Sequence, residues 1–414
     1  MKSILLNQLE ERNRLLNQQY VERINDYDIQ SLLHNPMIKL ITGPRRVGKS
    51  VFALMMLKQT NFAYLNFDDN QLLNNWDENL VMHTLQEIYP NYEYLLLDEV
   101  QNLKDWDLWV STLYRRGHNL IITGSNARML SQEMATVLTG RYIPIMMLPF
   151  SLQETLQLHN INLSNIPEEK KAESELLQEE YLHQGGYPEV AKIRTISRTY
   201  LSTLYDSILL KDIAQRHKIR KTEELYTIAG YLLSNFCNLF TTNDLTAEFN
   251  MKSVTTTQKY LNYLNEPYLF FYLQRFNNKF KVMKKAARKV YVVDNGFIDN
   301  VGFQLSENKG RLLENQTFIE LIRQGYNTET SLFYYHSRNN KEVDFVTRKG
   351  TKIERLIQVC YDLSSEKTRK REIDSLLECA EELRCNNLYI VTYNQEEIIQ
   401  IGTHQIHIIP FHKF

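Results

Sequence analysis

Gly43-Pro44-Arg45-Arg46-Val47-Gly48-Lys49-Ser50 is the stretch on which the reading of the chain turns. Two glycines separated by four residues lead into a lysine and a hydroxyl residue. The stretch follows the apolar run 37–42 and precedes a helical segment, 51–58. In a strand–loop–helix setting the glycines let backbone N–H groups turn onto phosphate oxygens, and the helix N-terminus adds its positive dipole end. Lys49 is expected to reach the terminal phosphates of ATP and Ser50 to ligate Mg²⁺. Pro44, Arg45, Arg46, Val47 and Val51 complete the expected nucleotide-binding stretch. An ordinary glycine turn is the bland alternative, and the setting argues against it.

Around this loop, the apolar runs 37–42, 62–67, 94–97, 119–123 and 142–148 alternate with helical segments. That alternation predicts an α/β fold, a parallel sheet wrapped by helices. Residues 1–35 read as a polar helical lead-in, with Leu5, Leu9, Leu16, Ile24 and Leu32 at loose helical spacing. The run 94–97 ends in Asp98-Glu99, the form of an acidic strand end that serves a phosphate loop. Asp98 is expected to hold Mg²⁺ through water, and Glu99 to orient and polarise the attacking water. The run 120–123 ends in Gly124-Ser125-Asn126, at the carboxyl edge where open α/β sheets bind ligands. Ser125 or Asn126 would sense the γ-phosphate there, or simply begin a loop. Arg141, after Gly140, is read as stabilising transition-state charge in its own subunit or a neighbour, or as a surface arginine.

Bulk composition narrows the setting. A chain of 414 residues, 43% hydrophobic and 23% charged, has room for two or three domains and is not disordered. Its net charge of −1 leaves nucleic-acid binding to local patches. Four cysteines without a C-x-x-C pair argue against structural zinc. The start turns charged at Glu10 and no stretch is apolar enough to span a bilayer, which predicts a cytoplasmic protein with no membrane partner. An oligomer is compatible with all of this.

Composition shifts to Glu, Lys and Ser over 162–180, and a helical unit follows. Three helices (225–236, 242–249, 253–264) and two strands (268–276, 289–293) make a winged-helix pattern. The expected divisions are an ATPase domain at 1–160, a helical linker or lid at 161–224, the winged helix at 225–300 and a small α/β domain at 301–414. Arg275, Lys279, Lys281, Lys284, Lys285, Arg288 and Lys289 form a run without an acid, and Lys211, Arg216, Lys218, Arg220 and Lys221 a second cluster. These suit double-stranded DNA, with Thr256 and Gln258 aimed at base edges. The alternative is a protein-contact module.

The loop, Leu97-Asp98-Glu99-Val100-Gln101, Thr123-Gly124-Ser125-Asn126, Leu138-Thr139-Gly140-Arg141-Tyr142, Leu148-Pro149-Phe150-Ser151, Gly185-Gly186-Tyr187-Pro188-Glu189, Val293-Asp294-Asn295-Gly296 and Glu342-Val343-Asp344-Phe345 together carry a wider likeness. With them the chain resembles bacterial and archaeal AAA+ type P-loop ATPases whose C-terminal half carries a domain of unknown function. The resemblance implies ATP hydrolysis, a winged-helix middle and a PD-(D/E)xK nuclease-like tail. In that tail Glu314, Asp344 and Gln358-Val359-Cys360 stand where the metal carboxylates and the Glu-x-Lys element are expected. Cys360 replaces the lysine, which implies an inactive site unless Lys352 or Lys367 compensates. The expectation is a nucleotide-driven switch acting on DNA or a protein. The alternatives are a regulatory protein that holds ATP without turnover, and an ATP-regulated nuclease.

Overall fold

The five strands that the apolar runs predict are β1 (Ile38–Thr42), β2 (Phe62–Asn66), β3 (Tyr94–Asp98), β4 (Asn119–Gly124) and β5 (Tyr142–Met146). They form one parallel sheet in the order β2-β3-β4-β1-β5. The computed structural model describes residues 1–24, 27–125, 138, 140–163, 165–303 and 308–414. Contacts divide the chain into two compact units, Met1–Leu148 with Glu266–Tyr268, and Pro149–Asn265 with Leu269–Phe414.

In the first unit, the central strands are covered on both faces, which is why they read as unbroken apolar runs. Leu40, Leu65, Leu97 and Ile122 share a core with Val81, Leu85, Trp109 and Val110 of the flanking helices. Lys39 breaks the run of β1 yet is fully buried. Its ammonium donates to the Leu33 and Asn35 carbonyls at the end of the helix Ile29–His34, where the helix leaves carbonyls unpaired. Burial lowers its pKa to about 8. Pro144 lies in β5, an edge strand, where its missing N–H leaves no ladder bond unmade. The lead-in is two helices, Lys2–Leu16 and Ile29–His34, of which the first buries Ile4 and Leu5.

The second unit opens with the helices Leu152–Gln157, Lys171–Gln184 and Ser197–Ser207. The helices Thr222–Ser234, Thr242–Glu248 and Val254–Asn265 follow at the expected places. Beside them β6 (Leu239–Phe240), β7 (Phe270–Gln274) and β8 (Arg288–Val292) form an antiparallel sheet in the order β6-β8-β7, one strand more than the two read from sequence. The remaining strands are β9 (Leu332–His336), β10 (Glu342–Lys349), β11 (Lys352–Val359), β12 (Leu388–Thr392), β13 (Glu397–Ile401) and β14 (His404–Pro410). They make a mixed sheet, β13-β14-β12-β11-β10-β9, packed by the helix Glu366–Leu383. Cys360, Cys379 and Cys385 belong to its apolar core, and the four cysteines are free and buried.

Several motifs outside the phosphate loop meet in one structural knot of this unit. The Asp294 carboxylate accepts the N–H groups of Gly186 at 2.7 Å and Gly296 at 2.9 Å. A Cβ on Gly186 would stand 2.0 Å from the Phe150 carbonyl oxygen, which explains the glycine. Asn295 donates to the Leu182 and Leu312 carbonyls.

The basic run from Arg275 to Lys289 is not a single surface, which corrects the sequence reading. Lys279, Lys281, Lys284 and Lys285 are exposed on and beside a short helix, Phe280–Lys285. Arg275, by contrast, donates to the His336 carbonyl oxygen at 3.0 Å. Arg288 stacks over Phe240 and Tyr272, 5.0 and 5.1 Å from the ring centres. Lys289 is buried among carboxylates. Successive residues of a strand face opposite sides, so Arg288 and Lys289 are both drawn inward, each to its own face.

Candidate nucleotide-binding site

The loop between β1 and the helix Lys49–Leu57 leaves the carboxyl edge of the sheet. Gly43 at φ 144° lies so near β5 that a Cβ would sit 1.9 Å from the Met147 carbonyl oxygen. Gly48 caps the helix in the left-handed region, φ 89°, with open space where a side chain would be. Between them Arg46 also takes a left-handed conformation, φ 68°. Val47 is buried, and its carbonyl oxygen accepts an Arg23 N–H at 2.9 Å. Arg23 donates to the Leu148 carbonyl as well, at 2.6 Å, bracing the loop against the segment after β5. Nothing local in the sequence announces that brace.

Lys49 is 4% exposed, and its ammonium donates to the Pro44 carbonyl at 2.9 Å with Glu99 Oε1 at 3.6 Å. Ser50 Oγ donates to Asp98 Oδ1 at 2.7 Å. The strands behind these two residues, β1 and β3, are not neighbours, because β4 lies between them. Thr123 of β4 fills the gap. Its hydroxyl donates to Asp98 Oδ1 and accepts the Glu99 N–H at 2.9 Å. Tyr64 of β2 donates to the other Asp98 oxygen at 3.1 Å. Burial, and next the charge of Glu99, raise the Asp98 pKa to about 6, although the hydroxyls of Thr123, Ser50 and Tyr64 pull it down.

Glu99 follows in the left-handed region, φ 51° and ψ 42°, which costs a residue with a side chain about 1–2 kcal/mol. Strain of that kind collects where a side chain must be aimed. Burial works against its negative charge, but Lys49, Gln101, Arg45 and Ser125 outweigh it and hold the pKa below the ordinary value. Gln101 Nε2 donates to Glu99 Oε2 at 2.5 Å and stands 3.4 Å from Ser125 Oγ.

The structure therefore brings Lys49, Ser50, Asp98, Glu99 and Ser125 together at one edge, with Val51 in the first helical turn. Arg45 is half-buried beside them and Arg46 is exposed. Asn126 lies outside the described residues. Arg141 is not brought to the loop of its own chain. It precedes β5, its carbonyl oxygen accepts the Ile38 N–H at 2.9 Å, and its guanidinium lies 5.8 Å from the Tyr114 ring centre. Ile38 starts β1 and the loop follows Thr42, which puts about 13 Å of strand between them. The reason is strand direction: in a parallel sheet the residue ahead of a strand sits at the amino edge.

The residues fit a nucleotide with its magnesium. The open left-handed cap at Gly48 and the free helix N-terminus suit phosphate, and Ser50 with Asp98 offers the oxygen donors that magnesium takes. Fold and loop together define a P-loop ATPase.

Comparison with known proteins agrees. An AAA domain model matches residues 35–156, and two domains of unknown function, DUF8612 and DUF4143, match 175–307 and 309–414. The uncharacterized protein MJ1544 of Methanocaldococcus jannaschii is 35% identical, over 95% of this chain and 91% of its own length. A protein of Haemophilus influenzae is 32% identical, over 87% of this chain and 91% of its own. Among solved structures, the Walker-type ATPase paby2304 of Pyrococcus abyssi aligns with 69% of this chain and 98% of its own, at 13% identity and a TM-score of 0.44. The chain belongs to the bacterial and archaeal AAA+ P-loop ATPase family that carries C-terminal domains of unknown function. Among the described residues no helix is long and apolar enough to cross a membrane.

Proposed function

We propose that the chain hydrolyses ATP with magnesium in the cytoplasm and uses the nucleotide state to switch its hold on DNA or a protein partner. The observation that carries the reading is the Lys49–Glu99 approach at 3.6 Å beside the Ser50–Asp98 hydrogen bond, all at one sheet edge. When bound, ATP supplies the phosphoryl group and magnesium neutralises phosphate charge. The N–H groups of Gly43 and of Arg45 to Ser50 bind and orient the phosphates, and Lys49 turns from the Pro44 carbonyl to meet them. Ser50 and Asp98 hold the metal. Glu99, released from Lys49, positions the attacking water and polarises it, while Ser125 or Asn126 senses the γ-phosphate. Arg141, remote from its own loop, acts across a subunit boundary.

One observation favours a second reading, in which ATP is held without turnover. Glu99 is engaged by Gln101 as well as Lys49, and its carboxylate must be freed before it can hold a water. A partner that draws Gln101 away would then control hydrolysis.

For the partner, the exposed Lys279, Lys281, Lys284 and Lys285 support duplex DNA bound by a winged helix, with the tail as a non-cleaving scaffold. A fluorescent duplex titrated with and without ATP tests the switch. Affinity that changes with ATP for the wild type but not for Lys49→Ala supports it. Equal affinity in all four arms removes it.

A further inference from the structure

Lys289, the second residue of β8, has a side chain only 4% exposed. Its ammonium stands 2.9 Å from Glu314 Oε1, 2.5 Å from Glu342 Oε1 and 3.0 Å from Asp344 Oδ1. The three carboxylates come from the helix Lys309–Arg323 and from β10, both in the segment that follows the three-helix module. Their other contacts are also fixed. Tyr291 donates to Glu314 Oε1 at 2.7 Å, the Val359 N–H to Asp344 Oδ2 at 2.9 Å, and His336 Nε2 stands 2.6 Å from Glu342 Oε2.

An ammonium has three N–H groups, and here three carboxylates meet them. None is left over to assist a water. Gln358, which the nuclease reading enlists as a metal ligand through its carbonyl oxygen, donates its amide N–H to Glu372 Oε2 at 2.8 Å, and that carbonyl oxygen accepts the Asp344 N–H at 3.4 Å. Lys352 and Lys367, the expected substitutes for the lysine missing at Cys360, are both exposed. Among the described residues, no three His, Cys, Asp or Glu side chains are spaced to hold a metal. Glu314 and Asp344 stand at 2.9 and 3.0 Å, wider than the 2.0–2.6 Å or so that magnesium and calcium take from oxygen, while Glu342 at 2.5 Å falls inside that range.

We propose that Lys289 is a built-in cation: its ammonium occupies the place a divalent metal would take among Glu314, Glu342 and Asp344. It keeps the tail metal-free and clasps β8 to the tail's sheet and helix. The proposal is independent of the ATPase reading. Removing the amine leaves buried carboxylates with no counter-charge, and the vacated space then suits a divalent cation, calcium better than magnesium because its bonds are longer.

The experiment follows thermal unfolding of the full chain with and without millimolar calcium or magnesium, for wild type, Asp344→Asn, Lys289→Ala and the double variant Lys289→Ala with Asp344→Asn. Any cation effect at the phosphate loop is common to all four. Lys289→Ala should melt below wild type, calcium should recover at least half of the loss, and the double variant should lack that recovery. Wild type and Asp344→Asn should respond to calcium alike. The proposal is overturned if calcium fails to stabilise Lys289→Ala, including the case in which that variant folds with neither cation. A calcium response of the wild type that Asp344→Asn abolishes would overturn it as well, since a metal would then bind with the lysine in place.

Discussion

Thr123 donates its hydroxyl proton to the Asp98 carboxylate and accepts the Glu99 backbone N–H, holding both acidic residues of the site with a single hydroxyl. Replacing it by alanine should leave the fold intact and lower ATP turnover by about tenfold, the effect of losing a positioning hydrogen bond. Thr123→Ser, which keeps the hydroxyl, should retain most of the rate in the same phosphate-release assay; equal loss in both variants would mean that packing of the methyl group matters instead. Gly43 to Ser50, Asp98 and Glu99 were legible in sequence because each lies in a contiguous pattern after an apolar run. Thr123, Tyr64 and Arg23 were not, since their contacts depend on which strands are neighbours, and no local pattern encodes the order β2-β3-β4-β1-β5. Arg141 shows the converse limit. Its place in sequence, next to a strand, was read correctly, but the parallel direction of β5 carries it to the far edge. Arg141→Ala should therefore leave turnover unchanged in dilute monomer. A loss that appears only as protein concentration rises would assign it to a neighbouring subunit.

Among the elements, β8 and the segment before it divide the basic run by geometry. Lys289 and Tyr291 are two apart, share a strand face and both reach Glu314, whereas Arg288 faces the Phe240 and Tyr272 rings. A list of basic residues hides this alternation; a period-two reading of 288–292 could have suggested it, though not the carboxylates that wait in β10. The two kinds of lysine should separate in experiment. If duplex DNA binds, changing Lys279, Lys281, Lys284 or Lys285 to alanine should flatten the slope of log affinity against log salt by about one unit each. Lys289→Ala should leave that slope alone and lower unfolding free energy by about 3–5 kcal/mol in denaturant titration, the range for breaking a buried ion pair. Alanine variants of the four exposed lysines that all keep the wild-type slope would end the assignment of this surface to phosphate contact.

At the scale of the whole molecule, stability should carry a pH signature from Asp294. Burial raises its pKa to about 7 against 3.8 in an unfolded chain, in spite of the Gly186 and Gly296 N–H groups. A carboxyl with a raised folded-state pKa binds its proton more tightly when folded. Its contribution is therefore most favourable below the unfolded value and is lost as pH rises from about 4 to about 7. Asp294→Asn, which cannot ionise and can accept only one of the two N–H bonds, should be less stable by about 1–3 kcal/mol at low pH. The gap should narrow toward pH 7; a constant gap would mean that Asp294 does not titrate in this window. The α/β class and the parallel sheet were legible from apolar alternation, while the gathering of the Phe150, Gly186 and Asp294 segments was not, because it joins stretches far apart in the chain, Gly186 and Asp294 by 108 residues. The central claim, that this fold turns ATP over through Glu99, is met most directly by measuring magnesium-dependent phosphate release and nucleotide affinity together for wild type, Lys49→Ala and Glu99→Gln. The wild type should release phosphate, Lys49→Ala should bind no nucleotide, and Glu99→Gln should bind undiminished with turnover down by about a hundredfold or more. Glu99→Gln releasing phosphate at the wild-type rate, or a wild type that binds ATP and releases none above the Lys49→Ala background, would contradict it.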